Sequence, residues 1–104
     1  MPLTSSRSSD GKELVIEVVG RFDFSLQRAF RDACNSVDSR KVRYRIDLSR
    51  SDYIDSAALG MLLLLREQVG AEGAGVRISG CGTDVERTLQ VSRFYQLFEM
   101  VPAQ

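Results

Sequence analysis

One segment constrains this chain more than any other. Tyr44-Arg45-Ile46-Asp47-Leu48-Ser49 alternates apolar and aromatic residues with charge and polarity. A few residues later Asp55-Ser56-Ala57-Ala58-Leu59-Gly60 leads straight into Met61-Leu62-Leu63-Leu64-Leu65. The first run reads as a strand, and the last as a helix that is apolar almost all the way round. Asp55 is the natural N-cap of that helix, because its carboxylate accepts hydrogen bonds from first-turn amides that have no intrahelical partner. Ser56 then falls in the first turn, where free amides and the positive end of the helix dipole favour an added anion. A serine so placed can carry a phosphate without breaking the helix that holds it, which makes Ser56 a switch candidate.

The remaining chemistry is narrow. A chain of 104 residues with 43% apolar content suits one compact domain with a single core, and its 14 basic residues balance its 14 acidic ones. Bulk charge therefore gives no argument for nucleic acid or for an anionic membrane. The longest uninterrupted apolar run, Met61 to Leu65, is far short of a membrane span. Met1-Pro2-Leu3-Thr4-Ser5-Ser6 lacks the basic start and apolar stretch of a signal peptide, so the expectation is a cytoplasmic protein with no membrane contact. Cys34 and Cys81 stand alone without metal-ligand spacing and read as reduced, partly buried small residues. Histidine is absent, which removes the commonest general base, the Ser/His/Asp triad and most zinc sites. No glycine-rich loop has phosphate-cradling spacing. The expectation is a chain that is not an enzyme and carries no cofactor or metal.

Along the chain, Thr4 to Asp10 is serine-rich and reads as a flexible tail (residues 1–10), leaving 11–104 as the folded domain. Asp10-Gly11 signals a turn. Glu13 to Val19 is a strand, Gly20 marks a bend or bulge, and Arg21-Phe22 resumes the strand. Ser25 is placed to cap a helix from Leu26 to about Ser36, with Leu26, Ala29, Phe30, Ala33 and Val37 as its apolar stripe. Lys41 to Leu48 is the central strand. The long helix runs from Ser56 to about Gly70 and is terminated by Gly73 and Gly75. Val76 to Ser79 is another strand, followed by Gly80-Cys81-Gly82, a turn or a binding-loop rim. Thr83 with Glu86 forms a capping-box pattern for a third helix to about Val91, and Phe94 to Val101 closes the chain. Strands alternating with helices of these lengths imply a mixed or largely parallel sheet of four to five strands with right-handed crossovers, covered by three to four helices: a small α/β sandwich.

On the long helix, Ala58, Met61, Leu62, Leu65 and Val69 share one stripe at core spacing. Leu59, Gly60, Leu63 and Leu64 then point largely away from it. Either the helix from Leu26 to Ser36 covers this second face, or it is a docking patch. Gly60 costs the helix about 1 kcal/mol against alanine, a sign of close approach either by a partner or by internal packing.

At this point the sequence resembles the STAS domain, in particular the bacterial anti-sigma factor antagonists, from about Leu14 to Val101. The resemblance is carried by Ile46-Asp47-Leu48-Ser49 and by Tyr53-Ile54-Asp55-Ser56-Ala57-Ala58-Leu59-Gly60, similar to the family's strand, loop and phosphorylatable Asp-Ser before a Leu-Gly helix start. Gly20-Arg21-Phe22-Asp23 is similar to its Gly-x-Leu-Asp element, and Leu97-Phe98 to its closing Leu-Phe. Many members have glycine where this chain has Ala58. The resemblance implies phosphorylation of Ser56 by a partner that is both anti-sigma factor and serine kinase, of histidine-kinase-like ATPase fold, and dephosphorylation by a separate serine phosphatase. The unphosphorylated form would bind that partner through Asp23, Asp55, Ser56, Ala57, Ala58, Leu59, Gly60 and Leu63, releasing a sigma factor without touching nucleic acid. Asp55 is on this reading both cap and contact, and Asp23 either a turn residue or a contact. The expected state is a monomer or weak dimer. The alternative is a STAS scaffold that docks on another signalling protein with Ser56 merely structural.

Overall fold

Neighbouring parallel strands need a crossover of a dozen or more residues, usually containing a helix, and the chain supplies three of them in succession. The structure, a computed structural model, describes residues 2–38, 41–70, 75–93 and 97–101. Its elements are β1 (Leu3–Arg7), β2 (Glu13–Phe22), a 3-10 turn (Phe24–Leu26), α1 (Gln27–Cys34), β3 (Arg43–Ile54), α2 (Ser56–Val69), β4 (Val76–Ser79), α3 (Thr83–Val91) and β5 (Glu99–Val101). They build one five-stranded sheet in chain order. β1 runs antiparallel to β2, and the pairs β2–β3, β3–β4 and β4–β5 are parallel. Each crossover steps one strand further in the same direction, so right-handed crossings lay the helices on one face of the sheet.

Strand alternation agrees. Leu14, Ile16 and Val18 of β2, Tyr44, Ile46 and Leu48 of β3, and Val76 and Ile78 of β4 are buried beneath the helices. They meet Phe30 and Ala33 of α1, Ala58, Met61, Leu62, Leu65 and Val69 of α2, and Val85 and Leu89 of α3 in one continuous core. Tyr44 is fully buried and donates its hydroxyl to the Cys34 carbonyl at 3.0 Å, tying the central strand to the end of α1. Burial pushes the Tyr44 hydroxyl and the Cys34 thiol each up to about 12, and the half-buried Cys81 thiol to about 11, so both free cysteines stay protonated and unreactive near neutral pH.

The opposite face of the sheet carries charge in place of a second layer. Glu13 of β2 accepts from Arg77 and, at 3.4 Å, from Arg45 Nε. Arg45 also donates to the buried Ser79 hydroxyl at 3.0 Å. One carboxylate thus bridges the guanidiniums of β3 and β4 across the sheet.

Several elements differ from the sequence reading. Leu3–Arg7 is an edge strand in place of a flexible tail: Leu3 is buried, and each residue pairs across to β2, from Leu3↔Val18 to Arg7↔Leu14. β3 does not end at Leu48 but continues to Ile54 through two register shifts, which break the apolar alternation that would have revealed it. Ser25 caps no helix: it lies within the 3-10 turn, which Asp23 caps, Oδ1 accepting from the Ser25 amide at 3.0 Å and from the Ser25 hydroxyl, and α1 starts after Leu26 with no side-chain cap. In α1 Ala29 is exposed and Cys34 takes its place in the stripe. α2 ends at Gly70, whose positive φ of 65° favours glycine; Gly75 lies past that end, and Gly73 is outside the described residues, as are Phe94, Tyr95 and Gln96. Thr83 is the first residue of α3, which Gly82 precedes as N-cap with no side-chain bond. Asp55 as cap, the Ser56 start and the five-residue core stripe of α2 stand as read.

Replacing Tyr44 with phenylalanine keeps the ring but leaves a buried carbonyl at Cys34 without its donor. We expect Tyr44→Phe to lower stability by about 1–2 kcal/mol, read as a lower urea midpoint with an unchanged slope; a wild-type midpoint would show that the bond contributes nothing.

Candidate functional site

The site is built where β2 and β3 run out together. Their parallel pairing ends with Phe22↔Ile54, both side chains buried, and the Asp55 amide donates to the Phe22 carbonyl at 3.3 Å. Asp55 is extended (φ −113°, ψ 179°), and its Oδ1 accepts from the Ala58 amide at 2.9 Å. With the orphan amide capped by Asp55, Ser56 has no capping duty. It is exposed, and among the described residues its hydroxyl makes no hydrogen bond.

Asp23 stands at the matching point past β2 and is half-buried. Donation from the Ser25 hydroxyl holds its carboxyl below the usual carboxylate range, with the Ser25 amide and Arg21 adding to the effect. Arg21, opposite Tyr53 in the register, lies with its guanidinium carbon 3.9 Å from the centre of the Tyr53 ring, and its Nε is 3.4 Å from Asp23 Oδ2. Asp23, Asp55, Ser56, Arg21 and Tyr53 therefore share one corner of the molecule.

The apolar second face of α2 is only partly covered. α1 lies alongside it, and Gln68 Nε2 donates to Asn35 Oδ1 across the pair at 3.2 Å, yet Leu64 remains 64% and Leu63 37% exposed. Phe24, in the turn before α1, is 66% exposed. It walls a cavity of about 480 Å³ with Ala57, Gly60, Met61, Leu63 and Leu64. A methyl built on Gly60 would meet nothing within 4 Å, so packing inside this domain does not account for the glycine.

The residues expected at the site are thus together, with one reassigned. Ala58 is fully buried, so its methyl packs into the core and not toward solvent. Ala57, Leu59 and Gly60 are half-buried, and Leu59 rests against the core. Leu64 lies on the face that the sequence offers as a docking patch, and Phe24, which was not among the expected site residues, walls the same cavity; Tyr53, also not among them, stands at the neighbouring strand end, opposite Arg21. The sequence signal for Phe24 is an aromatic residue set between Asp23 and Ser25, where no core periodicity requires one.

Two substitutions probe this geometry. Asp55→Ala should cost about 1 kcal/mol by losing the cap while Asp55→Asn retains it; equal stability of the two variants in chemical denaturation would remove capping as the role of Asp55. Gly60→Ala should raise stability by about 0.5–1 kcal/mol, because the helix gains a better former and the methyl meets open space. A destabilised Gly60→Ala would show a close internal contact at that position.

Comparisons with known proteins agree with this architecture. The chain matches the family described as Mlab, STAS domain, over residues 5–102. A STAS-domain containing protein of Pseudomonas aeruginosa (strain UCBPP-PA14) is 45% identical over 100 residues, spanning 96% of this chain and 99% of the relative. An anti-sigma factor antagonist from Mycobacterium paratuberculosis superposes with a TM-score of 0.77 at 21% identity, over 97% of this chain and 86% of that one. The Bacillus cell fate determinant SpoIIAA in its phosphorylated form superposes with a TM-score of 0.69 at 15% identity, over 98% and 91% of the two chains. The fold is thus shared with anti-sigma factor antagonists, and on the family match and the full-length relative, the chain belongs to the STAS domain family.

Proposed function

We propose that this STAS domain is an anti-sigma factor antagonist working by partner switching, with Ser56 as its phosphorylated residue. The observation that carries the reading is the state of Ser56: exposed, free of hydrogen bonds among the described residues, and set at the start of a helix whose neighbouring surface is apolar and uncovered. A structural serine at a helix start would be engaged in capping, and here Asp55 does that work. The likeness to SpoIIAA, a protein known in a phosphorylated and an unphosphorylated form, supports the same reading.

In this mechanism the unphosphorylated corner docks on an anti-sigma factor that is also a serine kinase, of histidine-kinase-like ATPase fold. Phe24, Gly60, Leu63 and Leu64 supply apolar contact, with Ala57 and Leu59 beneath them, and Asp23, Asp55 and Ser56 form the polar side. Aromatic residues in partly enclosed positions are the usual anchors of such surfaces, which assigns Phe24 and Tyr53 a leading part. Docking displaces the sigma factor. Phosphorylation adds about −1.5 to −2 charges beside Asp55; the solvated helix start accommodates this, and a packed apolar interface does not. A penalty of about 2.7 kcal/mol weakens binding a hundredfold, so the switch needs local charge and desolvation but no refolding. A serine phosphatase restores the competent form.

Phosphopeptide mass spectrometry on the protein from its native cells, read at Ser56 across growth conditions, should find condition-dependent occupancy. In titration against the anti-sigma partner, Ser56→Ala should bind like the unmodified protein and resist the kinase, and Ser56→Asp should lose about a hundredfold in affinity. Equal affinities, or a Ser56 never modified, would overturn the switch and favour a constitutive scaffold.

A further inference from the structure

A phosphate on Ser56 would arrive at a corner already rich in negative charge. Asp23 and Asp55 sit just past the paired ends of β2 and β3, and Asp52 is exposed on β3. Two more negative charges there demand a cation. Sheet register places two arginines near the corner: Arg21, opposite Tyr53, and Arg50, opposite Val19. Arg50 faces back along β2, with Nη1 3.8 Å from Glu17 Oε1.

Arg21 is held differently. Among the described residues its one polar contact is the 3.4 Å approach of Nε to Asp23 Oδ2 and its terminal nitrogens make no hydrogen bond; the side chain is 63% exposed. Asp23 does not depend on it: the Ser25 amide and hydroxyl occupy Oδ1, and the hydroxyl is the main cause of its lowered carboxyl pKa. The guanidinium instead rests on the Tyr53 ring at 3.9 Å, two residues before Asp55. It is a charge parked by a weak bond and a stacking contact at the paired strand ends that lead into α2, with its planar fork of donors unspent. Such a fork matches phosphate oxygens bidentately, which an ammonium cannot do.

We propose that Arg21 is the built-in counter-ion of phosphorylated Ser56, its guanidinium leaving Asp23 and the Tyr53 ring to take the phosphate oxygens. This rests on Ser56 as the modified residue. Phosphorylation then alters the surface twice, adding charge at the start of α2 and baring the Tyr53 ring and the Asp23 Oδ2 that Arg21 had covered.

The test uses phosphoserine incorporated at position 56 during translation, so that no kinase is needed. The second ionisation of the phosphate is followed by phosphorus NMR in the wild-type chain and in Arg21→Gln, Arg21→Lys and Arg50→Gln. The wild type should titrate below the ordinary value of about 6, and Arg21→Gln should titrate about half a unit or more higher. Arg21→Lys should fall between them, and Arg50→Gln should match the wild type. Exposure of Arg21 leaves the fold of its variants intact, checked by their unphosphorylated melting curves. Identical titration of wild type and Arg21→Gln, or a shift produced equally by Arg50→Gln, overturns the assignment. The outcome is separate from that of the switch: an Arg21-independent phosphate that still blocks partner binding removes only the counter-ion, and an Arg21-dependent phosphate in a protein that cells never phosphorylate removes only the switch.

Discussion

The parallel pairing of β2 with β3 is the constraint on which the site depends, and its irregularities matter more than its regular part. Ten residues of β2 run beside twelve of β3. The difference is absorbed by shifts after Glu17↔Asp47 and after Gly20↔Ser51. Bulges change which way successive side chains face. Here they let Leu48, Ser51 and Ile54 be buried in turn, at steps of three where a flat strand would alternate. Gly20 adopts a φ of 84°, which a side chain disfavours, and its carbonyl accepts from the buried Ser51 hydroxyl at 2.8 Å. The two strands thus finish level at Phe22 and Ile54, and Asp55 emerges extended and in phase to cap α2. A strand with no extra residue would deliver a different side chain to the cap.

Electrostatics divides the molecule in a complementary way. The sheet face without helices is closed by ion pairs: Glu13 with Arg45 and Arg77, Arg45 with Asp47, and Arg77 loosely with Glu99 at 3.9 Å. Arg45, Asp47 and Glu13 are mostly buried by one another, so these contacts are less screened than ordinary surface pairs. The large exposed apolar side chains lie elsewhere, with Phe24, Tyr53, Leu63 and Leu64 around the start of α2, and Val91 and Leu97 near the end of α3 and the beginning of β5. A face whose charges are largely paired, Arg77 Nε excepted, offers less to a partner than an aromatic residue two-thirds exposed, which has hydration still to lose.

How much of this was legible in the sequence depended on periodicity. α2 was readable to its cap and its core stripe because a helix start marked by Asp and five residues at helical spacing leave few alternatives. The parallel order followed from alternation of strands and helices. The edge strand was not readable: Thr4, Ser5, Ser6 and Arg7 carry no apolar alternation, because an edge strand with solvent beyond it buries only Leu3. The second half of β3 was hidden for the reason that makes it useful, since bulges erase the period-two signal. Ser25 reads in the sequence as the cap and Asp23 as a turn residue or a contact; only geometry shows that the aspartate accepts while the serine donates. At the site, the resemblance supplied Ser56 and its neighbours; that Arg21 and Phe24 stand at the same end of the sheet needed the tertiary structure, because only the pairing of β2 with β3 brings the end of one strand beside the end of the other.

What distinguishes Ser56 is how little the fold asks of it. Its backbone begins α2, but the side-chain cap of the first turn comes from Asp55, which already accepts from the Ala58 amide. Alanine would be the better helix former by a few tenths of a kcal/mol, so folding alone gives no reason for serine at this position. The same reasoning applies to Gly60, where the helix forgoes a methyl for which there is room. Two positions one turn apart are thus each less favourable to the helix than alanine, and both lie beside the exposed apolar surface. Local departures from what the fold prefers are expected where function sets the residue. A hydroxyl free of internal bonds can gain a phosphate at little cost to the cap that anchors it, and a helix face without side-chain bulk lets another surface come close. Added charge and close approach exclude one another at one interface, which is the physical requirement for a switch that changes partners without changing fold.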